Sequence, residues 1–213
     1  MKKALIVWGG WEGHTPERGA KVIADMLRRD GFEVEISNST AAFANPDIHD
    51  LSLIVPIITQ SKASDTEIAN LVAAVESGVG LAGYHGGMGD SFRDAVDYQF
   101  MVGGQWVAHP GNIIDYRVNI IDRQDPVTAG LEDFDYHSEQ YYMHVDPANK
   151  VLATTTFSGE HADWIDGVVM PVVWKRIHGK GRVFYNALGH TADEFDVAAM
   201  RTMTQRGLNW AAR

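Results

Sequence analysis

The feature that most limits the fold of this chain is an alternation of short apolar runs with amphipathic segments in its first half. Residues 4–8 are continuously apolar, which is typical of a parallel strand covered on both faces. Strands joined by helices imply right-handed crossovers and a doubly wound sheet. We therefore predict an α/β fold with a mainly parallel sheet, whose first four strands lie at residues 4–8, 32–36, 51–58 and 79–84.

Start and stop signals predict two helices between these strands. Thr15 is a candidate N-cap, Pro16 suits the first helical position, and the helix is expected to run to about Asp30. Gly31 follows as a stop signal. The second helix is predicted to begin at Ser64 and to end at residues 77–78.

The second half of the chain is less regular. A helix is expected from Asp90 or Ser91 to about Met101, followed by a polar loop over residues 103–112. No linker or internal repeat interrupts the chain, so we expect one domain over residues 1–213. The remaining predicted elements are strands at 113–121, 151–155, 168–176 and 182–187, an aromatic and acidic loop or short strand at 136–144, and a closing helix at 196–211.

The composition of the chain argues against several classes of function. The chain has 18 Lys and Arg against 28 Asp and Glu, a net charge of -10, which lacks the electrostatic footprint of a nucleic-acid binder. No apolar stretch approaches the ~20 residues that a membrane span needs. Cysteine is absent, which excludes disulfides, cysteine-ligated metals and a thiol nucleophile. The apolar run at residues 4–8 is too short for a signal peptide, so we expect a cytoplasmic protein.

Histidines follow predicted strands at three places, and ligands of open α/β sheets sit beyond such strand ends. His14 follows the first strand and His190 follows the last. His85, within Gly-Tyr-His-Gly-Gly after the fourth strand, has the context of a nucleophile elbow with an imidazole in place of Ser or Cys. Such imidazoles can move protons or hold a metal. Each histidine also has a purely structural interpretation. His14 could be a loop residue that helps to start the following helix, and His85 could be a buried residue whose hydrogen bonds are satisfied.

Two further segments carry groups suited to sugars or proton transfer. Glu139 lies among histidines and tyrosines, where it could be a general base with a raised pKa or a metal ligand. Gln105, Trp106 and His109 combine a planar amide, an indole and an imidazole, a set that can form a sugar platform. A half-buried structural Trp106 is the alternative. No H-E-x-x-H motif occurs, so a metal site would be assembled from distant segments.

Five ordered motifs make the chain resemble the ThuA-like, or trehalose utilisation, family over almost its whole length. They are Trp8-Gly-Gly-Trp-x-Gly-His14, Gly83-Tyr-His-Gly-Gly87 with Phe92-Arg-Asp94, Gly103-Gly-Gln-Trp-Val-Ala-His-Pro110, Glu139-Gln-Tyr-Tyr142 and Gly181-Arg-Val-Phe-Tyr-Asn-x-Leu-Gly-His190. The resemblance implies a flavodoxin-like, three-layer sandwich similar to class I glutamine amidotransferases. Those enzymes carry Cys at the elbow, so the absence of Cys here excludes glutamine hydrolysis through a thioester.

The resemblance also implies a role for each motif residue. The catalytic residues that it implies are His14, His85, Glu139 and His190, and the three histidines are the candidate ligands of a divalent metal such as zinc. No nucleotide or flavin is expected. The residues implied in substrate binding are Trp11, Tyr84, Gln105, Trp106, His109, Gln140 and Tyr141.

The function implied is acid–base or metal-assisted isomerisation or cleavage of a keto-sugar derivative of trehalose or a related disaccharide. Glu139 would be the base, and His85 and His190 would polarise the carbonyl or hold the metal. Two alternatives stay open: a sugar-binding or regulatory protein without catalysis, and a zinc-dependent hydrolase. The expected partners are a small carbohydrate, a sugar dehydrogenase that supplies the keto sugar, and a second copy in a homodimer. Nucleic acid and membranes are not expected partners.

Overall fold

Eleven strands and five α-helices make up the regular structure of the chain, and the computed structural model describes all residues, 1–213. The strands are β1 (Lys3–Gly10), β2 (Glu33–Ser37), β3 (Leu53–Thr59), β4 (Gly80–Tyr84), β5 (Gly104–Ala108), β6 (Ile113–Ile120), β7 (Phe134–Glu139), β8 (Tyr142–Val145), β9 (Lys150–Thr156), β10 (Val169–His178) and β11 (Gly181–Asn186). The helices are α1 (Pro16–Arg29), α2 (Asp65–Ser77), α3 (His85–Gly89), α4 (Val96–Val102) and α5 (Ala198–Ala211).

Nine strands form one sheet in the order β2-β1-β3-β4-β11-β10-β9-β6-β7. The strands from β2 to β11 are parallel, and their order is that of a doubly wound sheet, 2-1-3-4-5. The strands from β10 to β7 extend this sheet with antiparallel pairs. β5 and β8 pair separately as a two-stranded antiparallel ladder. The predicted mixed α/β fold with a large sheet and parallel strands is confirmed.

Burial explains why the parallel strands form where they do. All seven residues of β3 and all five of β4 are buried, as expected for strands with helices on both faces. One cluster of 56 buried apolar residues extends through the chain. The centre of the sheet is therefore a rigid base for the loops that follow its strands.

The helix starts show one confirmed prediction and one correction. Ser64 caps α2 in a capping box with Glu67. Thr15 does not cap α1 with its side chain, because its backbone is left-handed, with φ 47°. Its hydroxyl instead accepts a hydrogen bond from the backbone N–H of Ala192, at 2.9 Å. None of the helices combines the length and apolar character needed to cross a membrane.

The second half differs from prediction at two places, near Asp90 and over residues 103–112. No helix begins at Asp90, because the Asp90 carboxylate binds Arg93 and Phe92 adopts a left-handed φ of 48°; helix α4 starts only at Val96. The predicted loop at 103–112 contains β5. The segment at 136–144, predicted as a loop or short strand, contains the end of β7 and most of β8. Pairing of β5 with β8 stabilises both strands.

Candidate functional site

The candidate site lies at the carboxyl ends of four adjacent parallel strands. His14 follows β1, Thr59 ends β3, His85 follows β4 and His190 follows β11. Glu139, the last residue of β7, reaches the same place from the antiparallel part of the sheet. The predicted gathering of His14, His85, Glu139 and His190 is thus present.

His85 has the backbone expected of an elbow. Its φ is 47°, a left-handed value that is rare for a residue with a side chain. A Cβ on Gly86 would lie 2.5 Å from the His14 ring, and one on Gly87 would lie 3.0 Å from the Cα of Ile57. The two glycines therefore allow the turn to pack directly against His14 and β3.

One oxygen of Glu139 is shared by three imidazoles. Oε2 lies 3.1 Å from His85 Nε2, 3.3 Å from His190 Nδ1 and 3.7 Å from His14 Nε2. His14, His85 and Glu139 are buried, and His190 is half-buried. One ligand atom from each of the four side chains lies within 4.8 Å of the others.

In His85 and His14, the ring nitrogen that faces away from Glu139, Nδ1, forms a hydrogen bond. His85 Nδ1 donates to the carbonyl oxygen of Ala187 at 2.8 Å, so Nε2 of a neutral His85 presents a lone pair to Glu139. His14 Nδ1 bonds the hydroxyl of Thr59 at 2.8 Å, leaving Nε2 toward the same carboxylate. Metal-ligating histidines typically have their second nitrogen fixed in this way.

The donor set fits a small divalent cation. A lone pair and a carboxylate oxygen 3.1 Å apart need a proton or a cation between them. His190 Nδ1 is buried and makes no hydrogen bond, although Glu139 is near. Four-coordinate zinc with ligands at about 2.0–2.1 Å requires ligand–ligand separations of roughly 3.3 Å, close to the three distances around Glu139 Oε2. The cluster could therefore hold a metal ion.

The pKa values of the cluster distinguish its members. Burial lowers the pKa of His85 to about 4, against opposing effects of Glu139. Burial alone would raise the pKa of Glu139, but its interactions with His14, His190 and His85 outweigh burial and hold it well below its usual range. The expectation of a raised pKa for Glu139 is therefore wrong: histidines, not only aromatic rings, surround this carboxylate. For His190, the nearby carboxylate outweighs burial and the pKa is raised.

A cavity of about 310 Å³ opens beside the cluster. His109 Nε2 lies 3.6 Å from the second oxygen of Glu139, Oε1. The Tyr141 ring stacks on His85 with ring centres 4.0 Å apart. The residues that line the cavity are Trp11, His14, Gln60, Asp90, Trp106, His109, Asn112, Glu139 and Tyr141.

Three residues predicted to bind substrate lie outside this cavity. Tyr84 is buried against Phe195, with its hydroxyl toward Gly19. Gln105 lines a separate surface depression beside α4. The Gln140 amide is buried and donates to the hydroxyl of Thr155 at 2.7 Å. The structure therefore does not bring these three to the cavity, because each side chain faces another part of the molecule.

Several residues of the site were not predicted. Gln60 and Asn112 line the cavity and have left-handed φ values of 56° and 58°, which no sequence pattern marked. Asp90 holds Arg93 through two hydrogen bonds of 2.6 and 2.8 Å, and the Arg93 guanidinium covers one face of Trp106. The Asp90-to-Arg93 spacing and the Phe92-Arg-Asp94 motif were the available signals.

Taken together, the sheet and the cluster define an α/β protein with a three-histidine, one-carboxylate site at its strand ends. The family model for trehalose utilisation proteins, ThuA, matches residues 3–211, and the chain belongs to this family. No curated protein sequence matches the chain.

Solved structures agree with this assignment. ThuA-like proteins from Bacteroides uniformis ATCC 8492 and Parabacteroides merdae ATCC 43184 match with TM-scores of 0.81 and 0.80, each at 18% identity over 99% of this chain. The match covers 91% and 89% of those chains. A cytoplasmic protein from Salmonella typhimurium LT2 matches with a TM-score of 0.65 at 12% identity, over 99% of this chain and 100% of its own. At these identities the likeness shows a shared fold.

Proposed function

We propose that this protein is a metal-assisted acid–base enzyme that isomerises or cleaves a keto-sugar derivative of trehalose or a related disaccharide. The observation that carries the proposal is the set of imidazole nitrogens around Glu139 Oε2, at 3.1, 3.3 and 3.7 Å. Membership of the trehalose utilisation family supplies the substrate class.

His14 Nε2, His85 Nε2, His190 Nδ1 and a Glu139 oxygen would hold the ion, with zinc as the candidate metal. When bound, such an ion acts as a Lewis acid toward a substrate carbonyl. Thr59 and the Ala187 carbonyl orient the rings of His14 and His85. In this arrangement Glu139 serves as a ligand, since its low pKa makes it a weak base.

His109 is the residue that we assign to proton transfer. Its side chain lines the cavity, is 25% exposed, and places Nε2 3.6 Å from Glu139 Oε1. A carbonyl makes the neighbouring C–H acidic, and an imidazole can remove that proton. Return of the proton to the former carbonyl carbon, with transfer of the hydroxyl proton from one oxygen to the other, isomerises the sugar. Loss of a β-positioned glycosidic oxygen, which takes up a proton as it leaves, cleaves the disaccharide.

The mouth of the cavity suggests how a sugar would lie. The Trp11 side chain is 46% exposed and lines the cavity, so its indole can pack against the C–H face of a sugar. Trp106 has one face covered by Arg93, and its Nε1 has no hydrogen-bond partner. Trp106 would therefore contribute an N–H donor more than a stacking surface.

The wider expectations belong to the same proposal. The chain would act as a single, cytoplasmic domain with a sandwich similar to that of class I glutamine amidotransferases, without thiol chemistry because it has no Cys. A sugar dehydrogenase would supply the keto sugar, and two copies would form a homodimer.

The deciding experiment incubates the protein with trehalose and with chemically oxidised, 3-keto trehalose and follows products by NMR. We expect turnover of the keto sugar alone, with loss of activity after chelation and recovery with zinc. His109→Gln should abolish turnover and retain the metal, whereas His161→Gln, an exposed histidine, should behave like wild type. Sugar binding without product would favour a binding or regulatory protein. Release of glucose from unoxidised trehalose would favour a hydrolase.

A further inference from the structure

The segment between β11 and α5 contains a carboxylate with an unusual set of partners. Glu194 lies in a 3₁₀ turn, Ala192–Asp196. Its oxygens accept hydrogen bonds from the Tyr136 hydroxyl at 2.5 Å, from the Ser138 hydroxyl at 2.9 and 3.0 Å, and from the backbone N–H of His190 at 3.0 Å. All three donors are neutral, and no lysine or arginine forms an ion pair with Glu194.

Two of the three partners adjoin members of the histidine–glutamate cluster. Ser138 precedes Glu139 on β7, and the third donor is the backbone of His190 itself. In the same turn, the N–H of Ala192 donates to the hydroxyl of Thr15, the residue after His14. The turn therefore joins three segments that are far apart in sequence and that carry three of the four proposed ligands.

Burial and charge favour a functional reason for this arrangement. Ser138 is fully buried and Tyr136 is 3% exposed, so their hydroxyls need acceptors. Hydrogen bonds to an ionised acceptor are about twice as strong as neutral ones. The Glu194 carboxylate is the acceptor for both of these buried hydroxyls.

We propose that Glu194 is a positioning residue: it holds the His190 loop and the end of β7 in the relative placement that brings His190 Nδ1 to Glu139. The functional reason for this positioning rests on the proposed metal-binding function, but the positioning itself is a property of the metal-free chain. Glu194 touches neither the cavity nor the proposed ligand atoms, and it acts only through its hydrogen bonds.

Glu194→Ala and Glu194→Gln test the inference in the full-length protein. Glu194→Ala removes both carboxylate oxygens and with them the acceptors of all these hydrogen bonds. Glutamine can still accept from His190 and Tyr136 with its amide oxygen and donate to Ser138 with its amide nitrogen, so it should restore most of the function. Asp193→Ala is the matched control, because Asp193 is the preceding residue and forms an exposed ion pair with Arg18.

The first measurement is amide hydrogen exchange of the chelator-treated protein. Glu194→Ala should speed exchange at residues 188–192 and 136–141 by about tenfold or more, as expected for loss of a charge-assisted hydrogen bond. Glu194→Gln should show a smaller change, and Asp193→Ala should match wild type at these segments. Unchanged exchange in Glu194→Ala would overturn the inference, as would an increase spread evenly over the whole chain.

The second measurement is zinc affinity by competition with a chelating dye. We expect Glu194→Ala to bind about 10–100-fold more weakly than wild type, the range for loss of an outer partner of a metal ligand. Wild-type affinity in this variant would also overturn the inference. If the wild-type protein itself binds no zinc, the proposed function fails, and the exchange measurement alone decides the role of Glu194.

Discussion

Substituting Gly86 by alanine is the sharpest test of whether His14 belongs to a metal site. The new methyl group would lie 2.5 Å from Cε1 and 2.8 Å from Nδ1 of His14, whereas ordinary contact begins at 3.4 Å. The His14 ring would therefore move by about 0.9 Å, since the other close neighbour is the packed Thr59 side chain. Metal ligands tolerate errors of only about 0.2 Å.

The expected effect has two parts. Overpacking should cost about 1–3 kcal/mol of stability, a fall in Tm of roughly 2–12 °C for a chain of this size. Displacement of His14 should weaken zinc binding by more than the roughly 10–100-fold typical of losing an outer partner. Thermal unfolding of the zinc-free protein measures the first effect, and calorimetric titration with zinc measures the second.

Gly87→Ala separates packing from ligation. A Cβ at this position would lie 3.0 Å from the Cα of Ile57, so the variant is also overpacked, but its nearest contacts do not involve His14. We expect lower stability with zinc affinity close to wild type. If Gly86→Ala binds zinc as tightly as Gly87→Ala, His14 is not a ligand and the reasoning about the cluster is refuted.

Three further perturbations test other parts of the site. Thr59→Val removes the hydroxyl 2.8 Å from His14 Nδ1 and should weaken zinc binding about 10–100-fold, while Thr59→Ser should not; equal affinities in titrations would contradict the orienting role. Because burial lowers the pKa of His85 from 6.5 to about 4, the unfolded chain takes up a proton that the folded chain does not. Stability of the zinc-free protein should therefore fall as pH drops from about 6.5 towards 4, by up to about 1.4 kcal/mol per pH unit from this group. Urea unfolding should show this slope and its reduction in His85→Gln; an unchanged slope in the variant would count against the buried, neutral His85. Trp11→Ala should weaken sugar binding about 2–10-fold, from a stacking energy of roughly 0.5–1.5 kcal/mol, whereas Tyr84→Phe should leave it unchanged; the reverse pattern in ligand-observed NMR would move the sugar away from the proposed cavity.

The parallel half of the fold was predictable because its signals are local. The apolar run at 4–8 and the cap at Ser64 each determine an element through residues that are adjacent in sequence. The ladder of β5 and β8 was not predictable in this way. Gln105 pairs with His144 across a long intervening segment, and neither strand has an apolar pattern that would identify it alone.

The candidate site shows a similar division. The four cluster residues follow strand ends or motifs, so sequence reasoning found them. Each predicted residue that lies away from the cavity is the chain neighbour of a residue that does line the cavity or belongs to the cluster: Tyr84 precedes His85, Gln105 precedes Trp106 and Gln140 follows Glu139. Along extended backbone, successive side chains point to opposite faces. A motif identifies the segment, but the choice between two adjacent residues requires the direction of each side chain.

The position of β11 has a consequence for how this chain is made. The last strand in sequence lies at the centre of the nine-stranded sheet, between β4 and β10. The parallel and antiparallel halves are therefore joined only after residues 181–186 have been synthesised. Chains that stop before this strand leave the edges of β4 and β10 open to pairing with other molecules. Premature termination near the C-terminus should therefore produce aggregation-prone fragments rather than a shortened working protein.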